Sequence, residues 1–198
     1  MATQLIDGTG SKFKLKINDE NRAEVQAIIL DQEDDAIAKG EGYQIATGPI
    51  VWSGAATQTG VLYVKNNAER DFILDRAVLI LGSATGAAAG EDWTFQALRN
   101  PTAGTTIDNA SPAGISNSNH GSANTPDIDA YKFSAIGDTL TDGTGAPLPI
   151  QQASNRTVFP LGRRLPKGSS VGFRLTPPAS TTNATAVLVL HMYYGFNI

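Results

Sequence analysis

Two apolar runs without alternation constrain this 198-residue chain more than any other feature. Ala77-Val78-Leu79-Ile80-Leu81 completes a stretch that begins at Phe72 and that Gly82 is expected to end, and Val187-Leu188-Val189-Leu190 lies in the last one, Ala186 to Tyr194. A strand with one wet face alternates apolar and polar residues; one that is apolar at every position needs cover on both faces. The first run follows Val61-Leu62-Tyr63-Val64-Lys65 and a polar connection, Asn66 to Asp71, which is the pattern of two strands joined by a tight turn. One sheet over one core covers a single face, so something further is expected against the other.

The remaining segments extend the β pattern. Lys12-Phe13-Lys14-Leu15-Lys16-Ile17 alternates strictly, and a second alternating segment with Val25 and Ala27 opposed to Glu24 and Gln26 follows a turn at Asn18–Asn21. A hairpin loop with an odd number of residues would set lysine beside Glu24, giving an amphipathic N-terminal ribbon. Gln44–Trp52, interrupted at Gly48-Pro49, and Asp92–Leu98 read as strands, as do Thr157–Leu161 before a turn-like Gly162, and Val171–Leu175. Ile128–Ile136 and Pro147–Ile150 carry weaker versions of the pattern. Asp31–Lys39, acidic at its start and stopped by Gly40, reads as one or two helical turns. Pro101–Thr125 is rich in Gly, Ser, Asn and Thr and reads as a long polar loop, either a binding excursion or an unordered one. Many short strands and scarcely any helix give an all-β class: a single-domain β-sandwich of jelly-roll type with an N-terminal β-ribbon arm. The expected division is an arm, ribbon and helical turn over 1–42 and a sandwich body over 43–198.

Hydrophobic residues make up 41% of the chain and charged ones 17%, enough apolar surface for a core without metal or disulfide. With no cysteine, thiolate chemistry, disulfide bonds and cysteine-ligated zinc are excluded. The net charge of −4 argues against nucleic acid as a main partner. Neither a basic-then-apolar leader nor a run of membrane-spanning length is visible, so membrane partners are not expected. Charge is unevenly placed. Beyond Asp142, the last acidic residue, stand only cations (Arg156, Arg163, Arg164, Lys167 and Arg174), leaving ten basic against nineteen acidic residues before them. Such asymmetry suits contact with acidic neighbours, copies of the same chain included.

Residue types that carry chemistry form no constellation. The two histidines are His120, in the polar loop, and His191, within the last strand run. No Gly-x-Ser-x-Gly elbow occurs. Asp31, Glu33, Asp34 and Asp35 lack the spacing of a calcium loop and read as a solvated helix start. Trp52, Trp93, Tyr63, Tyr193 and Tyr194 could stack on sugars only if two of them shared an open groove; packing is the commoner use of strand aromatics. The chain is therefore read as no enzyme, with no catalytic, cofactor or metal residue.

Several segments resemble virion structural proteins of tailed bacteriophages, of the capsid decoration or cement type. They are Ala2-Thr3-Gln4-Leu5-Ile6-Asp7-Gly8-Thr9-Gly10, Ile17-Asn18-Asp19-Glu20-Asn21-Arg22, Gly60-Val61-Leu62-Tyr63-Val64-Lys65-Asn66-Asn67 and Lys167-Gly168-Ser169-Ser170-Val171-Gly172-Phe173-Arg174. The resemblance implies a jelly-roll protein seated on a capsid surface and made in the host cytoplasm. Its partners would be the major capsid protein and its own copies, in a homo-oligomer for which a trimer is favoured. Interface candidates under this reading are Lys12, Lys14 and Lys16 on the ribbon, Arg163, Arg164 and Lys167 near a turn, and Val187, Val189, His191 and Tyr193 on the last strand. A rival reading is a receptor- or glycan-binding module of a head or tail fibre, with 101–125 as its recognition loop. A polysaccharide-cleaving enzyme would need paired carboxylates, at which the sequence does not hint.

Overall fold

A computed structural model describes residues 32–54, 56–87, 91–150 and 156–195, with two short strands at 16–17 and 23–24; at those four positions, at 83 and at 146–150 only the backbone is described. Contacts divide the chain into two units, 1–31 and 32–198. Within the first, β1 (Lys16–Ile17) pairs antiparallel with β2 (Ala23–Glu24), with Lys16 opposite Glu24. That is the register an odd-length loop requires. Lys12 and Lys14 lie outside the described residues, as do Met1–Ser11 of the arm.

The second unit opens with α1 (Gln32–Ala38). Acidic residues fill its first turn, where the helix dipole favours them, and Lys39 reaches back to Asp35 at 2.6 Å. Gly40 ends it with φ of 71°, a conformation that suits glycine, and a Cβ there would meet the Ser122 hydroxyl at 2.1 Å. The last carbonyls of this segment are capped from the polar loop: Asn119 Nδ2 donates to Ala38 O at 3.2 Å and Asn117 Nδ2 to Gly40 O at 2.8 Å. Residues 101–125 are therefore not a free excursion. They contain α2 (Thr105–Asp108) and a strand at Gly114–Asn117, and their asparagines supply hydrogen bonds that α1 lacks.

Eleven strands follow α1: β3 (Gly42–Ala46), β4 (Ile50–Ser53), β5 (Thr59–Asn66), β6 (Phe72–Thr85), β7 (Trp93–Arg99), β8 (Gly114–Asn117), β9 (Ile128–Lys132), β10 (Thr144–Ile150), β11 (Arg156–Leu165), β12 (Ser170–Thr176) and β13 (Asn183–Tyr194). They form two antiparallel sheets, ordered β10-β7-β12-β5-β9 and β11-β6-β13-β3-β8, with β4 beside the first half of β13. The pairing is nested. β4 pairs with β13, β5 with β12, β6 with β11 and β7 with β10, so first meets last throughout. Eight strands folded as one long hairpin and wrapped across two sheets are a jelly roll. β3, β8 and β9 widen its edges.

The sequence misplaces three details. Gly82 does not end β6; the strand continues to Thr85, and the missing side chain there makes room for Thr185 of β13, whose hydroxyl a Cβ would meet at 1.9 Å. Gly162 is not a turn. β11 runs through it with a register shift between Pro160 and Arg163, a bulge on an edge strand. Asn66–Asp71 does not close a hairpin: β5 and β6 belong to different sheets, and the connection turns the corner between them. Fully buried Asn66 holds that corner. Its Nδ2 donates to Arg70 O at 2.9 Å and Leu165 O at 2.8 Å, while its Oδ1 accepts from Ala68 N at 2.8 Å.

Between the sheets lies an aromatic and aliphatic core. Trp52 and Trp93 meet edge-to-face with centroids 5.5 Å apart, and Phe95 stacks with both Phe159 and Phe173, at 4.6 and 5.6 Å. A second, smaller cluster (Tyr63, Leu98 and Leu140) covers the outer side of β5, with Ile107 and Tyr131 against it. Thr106, buried in α2, bonds Gly60 O at 2.8 Å and pins this cover in place.

Candidate functional site: an open apolar sheet face and a basic cleft

The outer face of the six-stranded sheet is the first candidate. Strict alternation along β13 sends Leu188, Leu190 and Met192 into the core and turns Val187, Val189 and His191 outward. Cross-strand partners share a face, so the pairings Val189–Val78–Val158 and Val187–Ile80 build one apolar strip across β13, β6 and β11. Ile80 is 43% exposed and Val158 46%. Val51, opposite Thr185 at the same face, is 51% exposed. The second apolar face anticipated for β6 thus exists. Among the described residues it is open at Ile80 and Val158 and half-buried at Val187 and Val189, while Val78 between them is buried.

One end of the face is polar. Glu33 of α1 bonds Arg76 at 2.9 Å, and Arg76 also pairs with its neighbour Asp75 and approaches His191 Nδ1 at 3.5 Å. Burial, and next the Arg76 guanidinium, hold His191 below the ordinary histidine value, so it is neutral near pH 7. It belongs to a structural ion-pair cluster. Tyr193 is buried rather than offered to a partner. Of the four β13 candidates, Val187 and Val189 lie on the strip, His191 borders it and Tyr193 does not reach it.

The second candidate is a cleft of about 430 Å³ at the end of the sandwich where β7 and β11 finish. Leu74, Leu161 and Leu165 give it apolar walls, and Arg99, Arg163 and Arg164 line it as well. Arg164 stands 3.5 Å from Asp71. Lys167, on the following turn, pairs with exposed Glu69 outside the cleft lining. The fold therefore brings Arg163 and Arg164 together with Arg99, which the sequence reading did not single out. A single arginine at the end of an alternating strand gives no sign that another sheet will face it with two more.

A third cluster is structural. Buried Asp138 accepts from Ser134 N at 2.6 Å, Ala135 N at 3.0 Å, Ser134 Oγ at 3.0 Å and Thr105 Oγ1 at 3.0 Å. Burial alone would raise its pKa; the hydrogen bonds outweigh it and hold the carboxyl below its ordinary value. The acidic start of α1 is likewise engaged, Glu33 with Arg76 and Asp35 with Lys39. Among the described residues no three of His, Asp and Glu gather as a metal set. Trp52 and Trp93 are fully buried and Tyr63 and Tyr193 nearly so, so these aromatics make no open sugar groove.

No family model matches the chain, and no curated protein does. Among solved structures it is similar to a chain of infectious bursal disease virus, Gx strain, at 10% identity and a TM-score of 0.34, over 79% of this chain and 33% of that one. It is also similar to a chain of the full particle of Israeli acute paralysis virus heated to 63 degrees, at 11% identity and a TM-score of 0.29, over 87% and 77% of the two chains. A third likeness, at 10% identity and a TM-score of 0.20, is to an expanded equine rhinitis A virus particle described as a picornavirus capsid, over 98% and 87%. The chain spans a third of the length of the first of these. The jelly-roll assignment rests on the nested strand pairing, not on these likenesses.

Proposed function

We propose that this chain is a virion structural protein of the capsid decoration or cement type, which binds the outside of a major capsid shell as a homo-oligomer. The observation that carries the reading is the apolar strip of exposed Ile80 and Val158 with half-buried Val187 and Val189, which a lone subunit leaves partly against water. Contiguous exposed apolar surface on a soluble protein marks a contact face. The fold itself is indifferent to function. The sequence segments that resemble phage virion proteins supply the location, and the separation of charge, acidic before Asp142 and basic after it, suits repeated contact between like subunits. Many modest contacts multiplied over a lattice hold a shell without any reactive group.

The N-terminal ribbon and the Arg163–Lys167 end are proposed to contact the shell or a neighbouring subunit, and the β13 strip to form the subunit seam. The test is electron cryomicroscopy of shells incubated with the full chain or with a chain lacking residues 1–30. Full-length protein is expected to decorate the shells in a regular array, and the truncated body to fold and stay in solution. Normal decoration by the truncated chain would remove the ribbon from the scheme; no decoration by either would remove the function.

A further inference from the structure

The cleft at the end of the sandwich shares Arg163 and Arg164 with the end proposed above to contact the shell, but its shape and its third arginine go beyond a flat contact. Arg99 lies at the inward phase of β7, following Trp93, Phe95 and Ala97, and its cross-strand partner is the core residue Val171. Arg163 lies opposite the core residue Leu74, also on an inner face. The bulge between Pro160 and Arg163 establishes that register. Two opposed sheets thus each place a guanidinium in an inner-face row at the same mouth, at the end of β7 and one step before Leu165 on β11. Neither arginine has an ion-pair partner among the described residues, and Arg164 joins them from the rim.

Inward charge on an edge strand can serve to discourage strand addition. That purpose needs one charge on one edge. Here two sheets converge, on walls of leucine and proline, around a volume in the range of small-ligand sites. Like charges at one mouth repel each other, and a single anion between them would relieve that repulsion. We propose that this cleft binds an amphiphilic carboxylate, with the head group held by Arg99 and Arg163 and a medium-length aliphatic tail along Leu74, Leu161 and Leu165. Guanidinium groups suit the head because they grip a carboxylate with two parallel bonds. The inference does not rest on the virion role, although Arg163 and Arg164 are offered to both.

Decanoate, kept below its micelle concentration, is the probe. Titration followed by methyl NMR is expected to shift the leucines of the cleft saturably and to leave the Val187–Val189 strip unmoved. Acetate, which lacks the tail, and decyltrimethylammonium, which reverses the charge, are expected not to bind. R163Q and R99Q should each weaken decanoate roughly tenfold, the scale of one charge-assisted pair. Because both arginines are exposed and hold no partner among the described residues, these variants should melt no lower than the parent in the absence of ligand. Unsaturable shifts, equal binding by the cationic detergent, or full affinity in the double variant would each overturn the proposal.

Discussion

The corner between β5 and β6 gives the sharpest test of how this sandwich is held, because one side chain satisfies three main-chain groups there. In Asn66→Ala, the carbonyls of Arg70 and Leu165 lose their donor and Ala68 N loses its acceptor, all at a fully buried site. A buried main-chain group left without a partner costs about 1–3 kcal/mol, and partial access of water to the corner favours the low end, so the three sum to about 3–4 kcal/mol. For a domain of this size that corresponds to a fall in Tm of roughly 10 °C. Guanidinium unfolding followed by tryptophan fluorescence suits the measurement, since Trp52 and Trp93 are in contact inside the core and report its opening. The midpoint should fall while the slope of the transition stays unchanged. Asn66→Asp sharpens the reasoning. It keeps the acceptor for Ala68 N but turns a carboxylate toward two carbonyls, so its ionised form is disfavoured and its folded pKa lies above the unfolded one. That variant should be less stable than the alanine variant at pH 7 and should recover as pH falls and the acid protonates, since the folded state then binds the extra proton. A loss below about 0.5 kcal/mol for Asn66→Ala, the level of an ordinary surface change, would refute the account.

Three further outcomes follow from the same geometry. Asp138 is held below its ordinary pKa, so its contribution to stability is present above the unfolded carboxylate value of about 3.9 and is lost as pH falls through the folded one; Asp138→Asn should be less stable near neutrality and show a flatter acid limb in a pH series of thermal melts. Gly82→Ala should cost about 1–3 kcal/mol through its clash with Thr185, and Thr185→Ala should rescue part of that in a double-mutant cycle, a coupling that would be missing if β6 were free to shift there. Replacing Ile80 or Val158 by Asp should leave the melt of the dilute subunit within about 0.5 kcal/mol, since both are over 40% exposed, while abolishing self-association in sedimentation; unaltered association would clear the β13 strip of any part in it.

The sequence alone determined the β class, most strand positions and the opposition of Lys16 to Glu24, because side-chain periodicity and turn chemistry are local and need no partner to be expressed. It also determined that β6 and β13 would carry apolar residues on both faces, which the exposed Ile80 of β6 and the half-buried Val187 and Val189 of β13 display. Strand extents at glycine were decided elsewhere. Gly82 and Gly162 look like breaks in isolation, yet each lies within a strand, one because Thr185 needs the space and the other because an edge bulge tolerates it. The asparagines of 117–124 read as featureless loop until the carbonyls of α1 are set beside them. Tertiary structure alone decided that Asn66 sits at a buried corner and that Arg99 and Arg163 meet across the mouth of the sandwich. Those pairs lie far apart along the chain, and only the nesting of first strand with last, a property of the whole hairpin, brings them within reach.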